Sequence, residues 1–282
     1  MPVVVARRLD EALAHLRDTE SVVVAGGTDL MVAMNFGRAR PERVLTVDRV
    51  AEIGGIETAA NAVRVGAGVT YTRLLRELDG SPALREAART VGSPQIRNAG
   101  TIGGNLATSS PAGDTLPVLA ALDATVVVRS AVAERRVPFA DFMTGPKRNV
   151  LRPTELVTAA EWADAGPAQT FVKVGTRNAM VIAVASLAVV VDRARRRVGI
   201  ALGSCGPTIL RAGEAERFVA GLAEETGWDR PLRASDAALA EAGRLIAAAA
   251  RPIDDVRGTA AYRRHVLGVI GARAIARVGA IA

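Results

Sequence analysis

The sequence predicts an α+β chain of two lobes: an α/β N-terminal lobe, then a smaller lobe that reads sheet first and helices after. Three observations carry this. Strand-like and helix-like segments alternate as far as Gly166-Pro167. Beyond that pair, strand signals follow one another at 170–174, 182–191 and 198–202. From Arg211 onward the chain is alanine-rich and helical.

Taken in order, residues 9–16 place Leu9, Leu13 and Leu16 on one face of a short amphipathic helix. Residues 21–25 read as a buried strand, Gly26-Gly27-Thr28-Asp29 as a turn, and 30–34 as a helix start. Strands are expected at 43–47 and 62–69, separated by Gly54-Gly55, and helices at 70–78 and 82–91. The stretch 97–123 has three parts: a glycine-rich turn at 100–105, a run of small hydroxylated residues, and an apolar helix opened by Asp114. A strand pair at 124–129 and 134–137 follows, with a further strand at 155–161. Gly166-Pro167 is the expected linker, because the pattern changes there. In the second lobe Arg195-Arg196-Arg197 reads as a turn, and helices are expected at 214–218, 234–250 and 259–276.

Composition narrows the function. At 282 residues, with 49% apolar side chains, the chain suits two domains and buries a large core. Its one cysteine, Cys205, rules out an intrachain disulfide framework and any cysteine-held iron–sulfur or zinc centre; at a turn, it reads as a small buried side chain. His15 and His265 fall in predicted helices, where exposure is the ordinary reading. The apolar run at the start is too short for a signal-peptide core, and 181–191 is too short to cross a bilayer. The expectation is a soluble, cytoplasmic protein with no membrane span. A net charge of +7 is spread along the chain and aromatics make up only 3%, so nucleic acid is not an expected partner. Such diffuse charge suits docking to an acidic protein. Lys147 and Lys173 are the only lysines among many arginines, which marks each as a candidate for a site that needs a compact ammonium.

Two segments carry candidate chemistry. At residues 21–34, strand, glycine turn and helix start form the geometry that presents unpaired amides to phosphate. At 100–110, paired glycines are expected to take positive φ and expose amides, with Thr101, Asn105, Thr108, Ser109 and Ser110 adding compact polar groups. Neither segment is a Walker loop or a Rossmann fingerprint. Each also has a plain reading: the first as a tight strand–helix connection, the second as a surface loop with Asp114 as a helix N-cap and Pro117 in the first turn. Together the two loops are suited to hold the two phosphates of a diphosphate.

These residues resemble the FAD-binding medium subunit of the molybdenum hydroxylases, the group that includes the carbon monoxide dehydrogenase medium subunit and the xanthine dehydrogenase FAD domain. The resemblance rests on Ala25-Gly26-Gly27-Thr28-Asp29-Leu30 and Thr101-Ile102-Gly103-Gly104-Asn105-Leu106, with Asp114 downstream. It continues through Val65-Gly66-Ala67-Gly68-Val69-Thr70, Gln95-Ile96-Arg97-Asn98, Phe171-Val172-Lys173-Val174-Gly175-Thr176-Arg177 and Pro252-Ile253-Asp254-Asp255-Val256-Arg257-Gly258, with Tyr262-Arg263.

The resemblance implies an FAD-binding domain of two α/β subdomains, of the vanillyl-alcohol oxidase type, over residues 1–167. A C-terminal antiparallel sheet with helices would span 168–282. It implies FAD as cofactor, with the amides of Gly26, Gly27, Thr28 and Asp29 on one side of the diphosphate and those around Thr101, Ile102, Gly104 and Asn105 on the other. Thr108 would lie along the cofactor, and Asp114 would accept from ribityl hydroxyls. Lys173 would sit beside the isoalloxazine, where a cation favours the anionic reduced form. Val91 and Val157 match positions near the flavin. Arg257 and Tyr262 read as packing residues. No catalytic residue and no metal ligand is expected.

The implied partners are a molybdenum-cofactor large subunit and a 2Fe–2S small subunit, in a dimer of heterotrimers. Electrons would pass from the small subunit through FAD to NAD, a quinone or oxygen. Two alternatives stand beside this one: a self-contained FAD-dependent oxidase of the vanillyl-alcohol oxidase type, and a scaffold protein that has lost FAD.

Overall fold

The computed structural model describes residues 1–59 and 61–281. The N-terminal segment forms β1 (Val3–Val5), α1 (Leu9–Asp18), β2 (Val22–Val24), α2 (Leu30–Asn35) and β3 (Val44–Thr46). The three strands pair in parallel in the order β1-β3-β2. Leu9, Ala12, Leu13 and Leu16 bury one face of α1 against them, as the periodicity predicts. The segment at 21–25 departs from expectation. It is an edge strand rather than a buried one, with Val22 41% exposed, because β3 takes the centre of the sheet.

A second sheet contains β4 (Ile56–Ala59), β5 (Ala62–Gly66), β6 (Thr125–Arg129) and β7 (Glu134–Pro138). After a short ribbon of β8 (Met143–Gly145) and β9 (Arg148–Asn149), β10 (Leu156–Ala163) enters between β5 and β6. All its pairings are antiparallel, in the order β4-β5-β10-β6-β7. Between β5 and β6 the chain runs through α3 (Tyr71–Glu77), α4 (Pro82–Thr90), α5 (Pro94–Ala99), α6 (Ile102–Thr108) and α7 (Thr115–Ala121); α8 (Phe139–Phe142) follows β7. Residues 102–105 are therefore the first turn of a helix and not a loop.

The third sheet is β11 (Gln169–Val174), β12 (Ala185–Asp192), β13 (Arg197–Gly203) and β14 (Leu210–Arg211), antiparallel in chain order. It is followed by α9 (Gly213–Thr226), α10 (Asp236–Ala249) and α11 (Ala260–Gly279). Arg195 and Arg196 form the turn between β12 and β13, and Arg197 opens β13. β12 is apolar along nearly its whole length for a physical reason. Ala188 and Val190 face the core shared with α4 and α7, whereas Leu187, Val189 and Val191 face the core under α9–α11. A strand covered on both faces loses polar alternation.

The two lobes meet closely where α7 crosses β13. A Cβ on Gly199 would overlap the Ala121 carbonyl. Gly199→Val should therefore destabilise the fold by roughly 1–3 kcal/mol or more, which chemical denaturation will measure. A second test concerns Glu155, which takes two hydrogen bonds from Arg135 at 2.8 and 2.7 Å and one from the Arg152 amide at 2.8 Å. Arg135 is the main cause holding this carboxyl below its ordinary value. Its contribution is complete above the ordinary carboxylate range and fades as pH falls through the depressed value. Glu155→Gln should flatten the acid limb of the stability–pH curve.

Candidate cofactor site

The two glycine segments face one another across a cleft of about 200 Å³. Ala25, Gly26, Gly27, Thr28, Asp29 and Leu30 form one wall; Thr101, Gly104, Asn105 and Thr108 form the other. Gly26 sets the spacing between them, since a Cβ there would overlap the Ala99 carbonyl. Gly27 has φ +68°, a conformation that favours glycine, and it turns the chain from β2 into α2.

The walls differ in what they offer. None of the amides of Gly26, Gly27, Thr28 and Asp29 is spent on another described residue. The N-terminal amides of α6 are already satisfied. Ile102 donates to Val69 O at 3.1 Å, Gly103 to Ala67 O at 2.9 Å, and Asn105 to Thr101 O at 3.0 Å. The Gly104 amide donates to Thr101 Oγ1 at 3.0 Å, so Thr101 is the N-cap of α6. Neither Gly103 nor Gly104 takes a positive φ. What Gly104 contributes is a bare surface: a Cβ there would meet only Thr101 Oγ1, at 3.1 Å. Free main-chain donors for an anion therefore come mainly from the first wall, while the second supplies hydroxyls and room.

Asp114 does not cap α7, because its side chain makes no capping hydrogen bond and its backbone is helical. It is instead buried, 6% exposed, and ion-paired at 2.6 Å with Lys173, whose side chain is 8% exposed. Thr90 Oγ1 donates to the same carboxylate oxygen at 3.0 Å, and Lys173 Nζ also donates to the Thr90 carbonyl at 3.1 Å. Burial is the largest influence on Asp114 and raises its carboxyl above the ordinary value; the Lys173 ammonium and the hydrogen bonds from Lys173 and Thr90 act the other way. The other oxygen, Oδ1, is buried without a partner. Lys173 lies on the edge strand β11 yet points inward to join the lobes.

The remaining predicted residues lie outside the cleft. Ile102 and Val157 are buried in the first core. Val91 ends α4, half-buried, and its carbonyl accepts from Arg97 at 3.0 Å. Tyr262 is exposed rather than packed, whereas Arg257 pairs with Asp255. His15 is half-buried, with Nε2 2.9 Å from Ser21 Oγ, and His265 is exposed. Cys205 is fully buried, and burial pushes its thiol up to about 12. Tyr71, which no motif marked, lines the cleft. A larger cavity of about 580 Å³ shares Asp29 with the cleft and runs between the lobes beside Lys147, Ile182 and Arg263.

Free amides facing a bare helix surface are suited to the phosphates of a dinucleotide. Known proteins agree. The FAD binding domain in molybdopterin dehydrogenase matches residues 1–161, and the CO dehydrogenase flavoprotein C-terminal domain matches 170–278. The chain belongs to the FAD-binding flavoprotein family of the molybdopterin dehydrogenases.

It is 37% identical over 205 residues to the nicotinate dehydrogenase FAD-subunit of Eubacterium barkeri, covering 67% of this chain and 68% of that one. It is 30% identical over 280 residues to the glyceraldehyde dehydrogenase medium chain of Sulfolobus acidocaldarius, covering 97% and 96%. Reconstituted CO dehydrogenase from Oligotropha carboxidovorans superposes with a TM-score of 0.89 at 27% identity, over 100% of this chain and 98% of that one. The protein is thus an FAD-binding oxidoreductase subunit of the molybdenum hydroxylase type, and both the self-contained oxidase and the scaffold without FAD are set aside. No helix among the described residues is long and apolar enough to cross a membrane.

The ion pair between the lobes is open to direct test. Asp114→Ala leaves a buried ammonium without its partner and should cost about 3–5 kcal/mol. Adding Lys173→Met should recover most of that loss, and denaturation of the two single variants and the double variant measures the coupling.

Proposed function

We propose that this chain is the electron-transfer subunit of a molybdenum hydroxylase, working in the cytoplasm as part of a dimer of heterotrimers. Its partners in this reading are a molybdenum-cofactor large subunit, which oxidises the substrate, and a 2Fe–2S small subunit. Electrons leave for NAD, a quinone or oxygen. FAD, when bound, supplies the link between one-electron and two-electron transfer.

The observation that carries this reading is the cleft itself, with four unspent amides facing the bare surface of Gly104. The amides of Gly26, Gly27, Thr28 and Asp29 hold the diphosphate. The face formed by Thr101, Gly104 and Asn105 admits it, with Ile102 anchoring that helix turn in the core behind, and Thr108 lies alongside. Asp114 Oδ1, buried and unpartnered, accepts from a ribityl hydroxyl. Lys173, held by Asp114 and the Thr90 carbonyl, would supply the cation that favours the anionic reduced flavin. Val91, half-buried at the end of α4, provides an apolar flank, while Val157 stays in the first core. In this reading residues 1–167 form the cofactor domain, and 168–282 form the lobe that supplies Lys173.

Gly104→Val tests the proposal. A side chain there projects into the cleft while meeting little else, so the fold should survive and FAD should be lost. The flavin absorbance of the purified variant, read beside its far-UV circular dichroism, decides the matter. A variant with normal flavin content would remove the cleft from cofactor binding.

A further inference from the structure

Among the described residues, no lysine or arginine lines the cleft. Asp29 is the one charged side chain among the described residues that line it, and its carboxylate lies 3.4 Å from Thr108 Oγ1. The second wall has spent the amides of Ile102, Gly103, Gly104 and Asn105 internally. An anion held here needs further donors from neutral side chains.

Tyr71 meets that need by position. It opens α3 directly after the N-cap Thr70, lines the cleft, and is 5% exposed. Its placement is tightly fixed. The Tyr71 amide donates to Gly100 O at 3.1 Å, and Ile102 donates back to Val69 O at 3.1 Å, which staples the start of α3 to the start of α6. The ring edge lies against Gly100, where a Cβ would come 2.8 Å from Tyr71 Cε2. No hydrogen bond joins the hydroxyl to a described residue, and it is not one of the sealed, unpartnered polar atoms of the interior. Burial, and then the nearby carboxylates of Asp114 and Asp29, raise the phenol above its ordinary value. The proton therefore stays on the oxygen across the working range.

We infer that the Tyr71 hydroxyl donates a hydrogen bond to the diphosphate of the bound dinucleotide, as a neutral donor in a site without cations. This rests on the cofactor reading above. A neutral donor bonds a phosphate oxygen without the desolvation cost of burying a further charge. A rigid ring also positions its hydroxyl at little entropic cost.

The test compares the full-length wild type with Tyr71→Phe, which keeps the ring packing. Both are stripped of flavin and titrated with FAD, ADP and riboflavin. Loss of one hydrogen bond to a charged oxygen should weaken FAD and ADP about tenfold or more. Riboflavin, which lacks phosphate, should bind both proteins equally, and the melting temperature should stay unchanged. Equal FAD affinity in the two proteins overturns the inference. So does an equal loss for riboflavin, which would place the hydroxyl on the ribityl chain. Wild-type protein that binds riboflavin but neither FAD nor ADP would overturn the cofactor reading, and this inference with it.

Discussion

The structure depends on how closely two stretches of backbone approach one another. Gly26 lies against the Ala99 carbonyl, and residues 69–71 are hydrogen-bonded to 100–102. Together these contacts hold the β2–α2 turn and the start of α6 at one fixed separation. A cleft made from main chain needs this, because peptide groups lack rotamers with which to adjust to a ligand. The precision must come from the scaffold.

The second wall then follows from ordinary helix physics. A helix start has amides without intrahelical partners, and here those amides find partners in Ala67, Val69 and Thr101. The structure thus separates two tasks that a glycine-rich sequence leaves merged. One turn keeps its donors free, while the other satisfies its own and offers space. Beyond them, Asp114 on the helical side and Lys173 on the sheet side hold the lobes together through a charge pair sheltered from water.

Much of this was legible in the sequence. The leucines of α1, the apolar run of β12 and the alanine-rich C-terminal helices announce themselves by period and composition. Three-residue β1 and four-residue β4 do not, because both are too short and too exposed to build a pattern. Helix α6 was hidden by its own glycines, each of which costs about 1 kcal/mol against alanine in a helix. Tertiary hydrogen bonds offset that cost. Asp114 sits where a capping residue belongs, and only a lysine 59 positions later draws it into another role. Tyr71 lay in a predicted helix, and nothing local shows that the first turn faces a cavity.

The double coverage of β12 carries a consequence for how the chain is put together. Its two lobes are divided in sequence but share a wall in space, since α4 and α7 rest on the sheet formed by the later half. A fragment cut at Gly166 would present a broad oily surface to water, and its counterpart would present the matching one. The halves are therefore poor candidates for separate expression or for exchange between relatives, and a ribosome must release most of the polypeptide before the earlier part is fully sheltered.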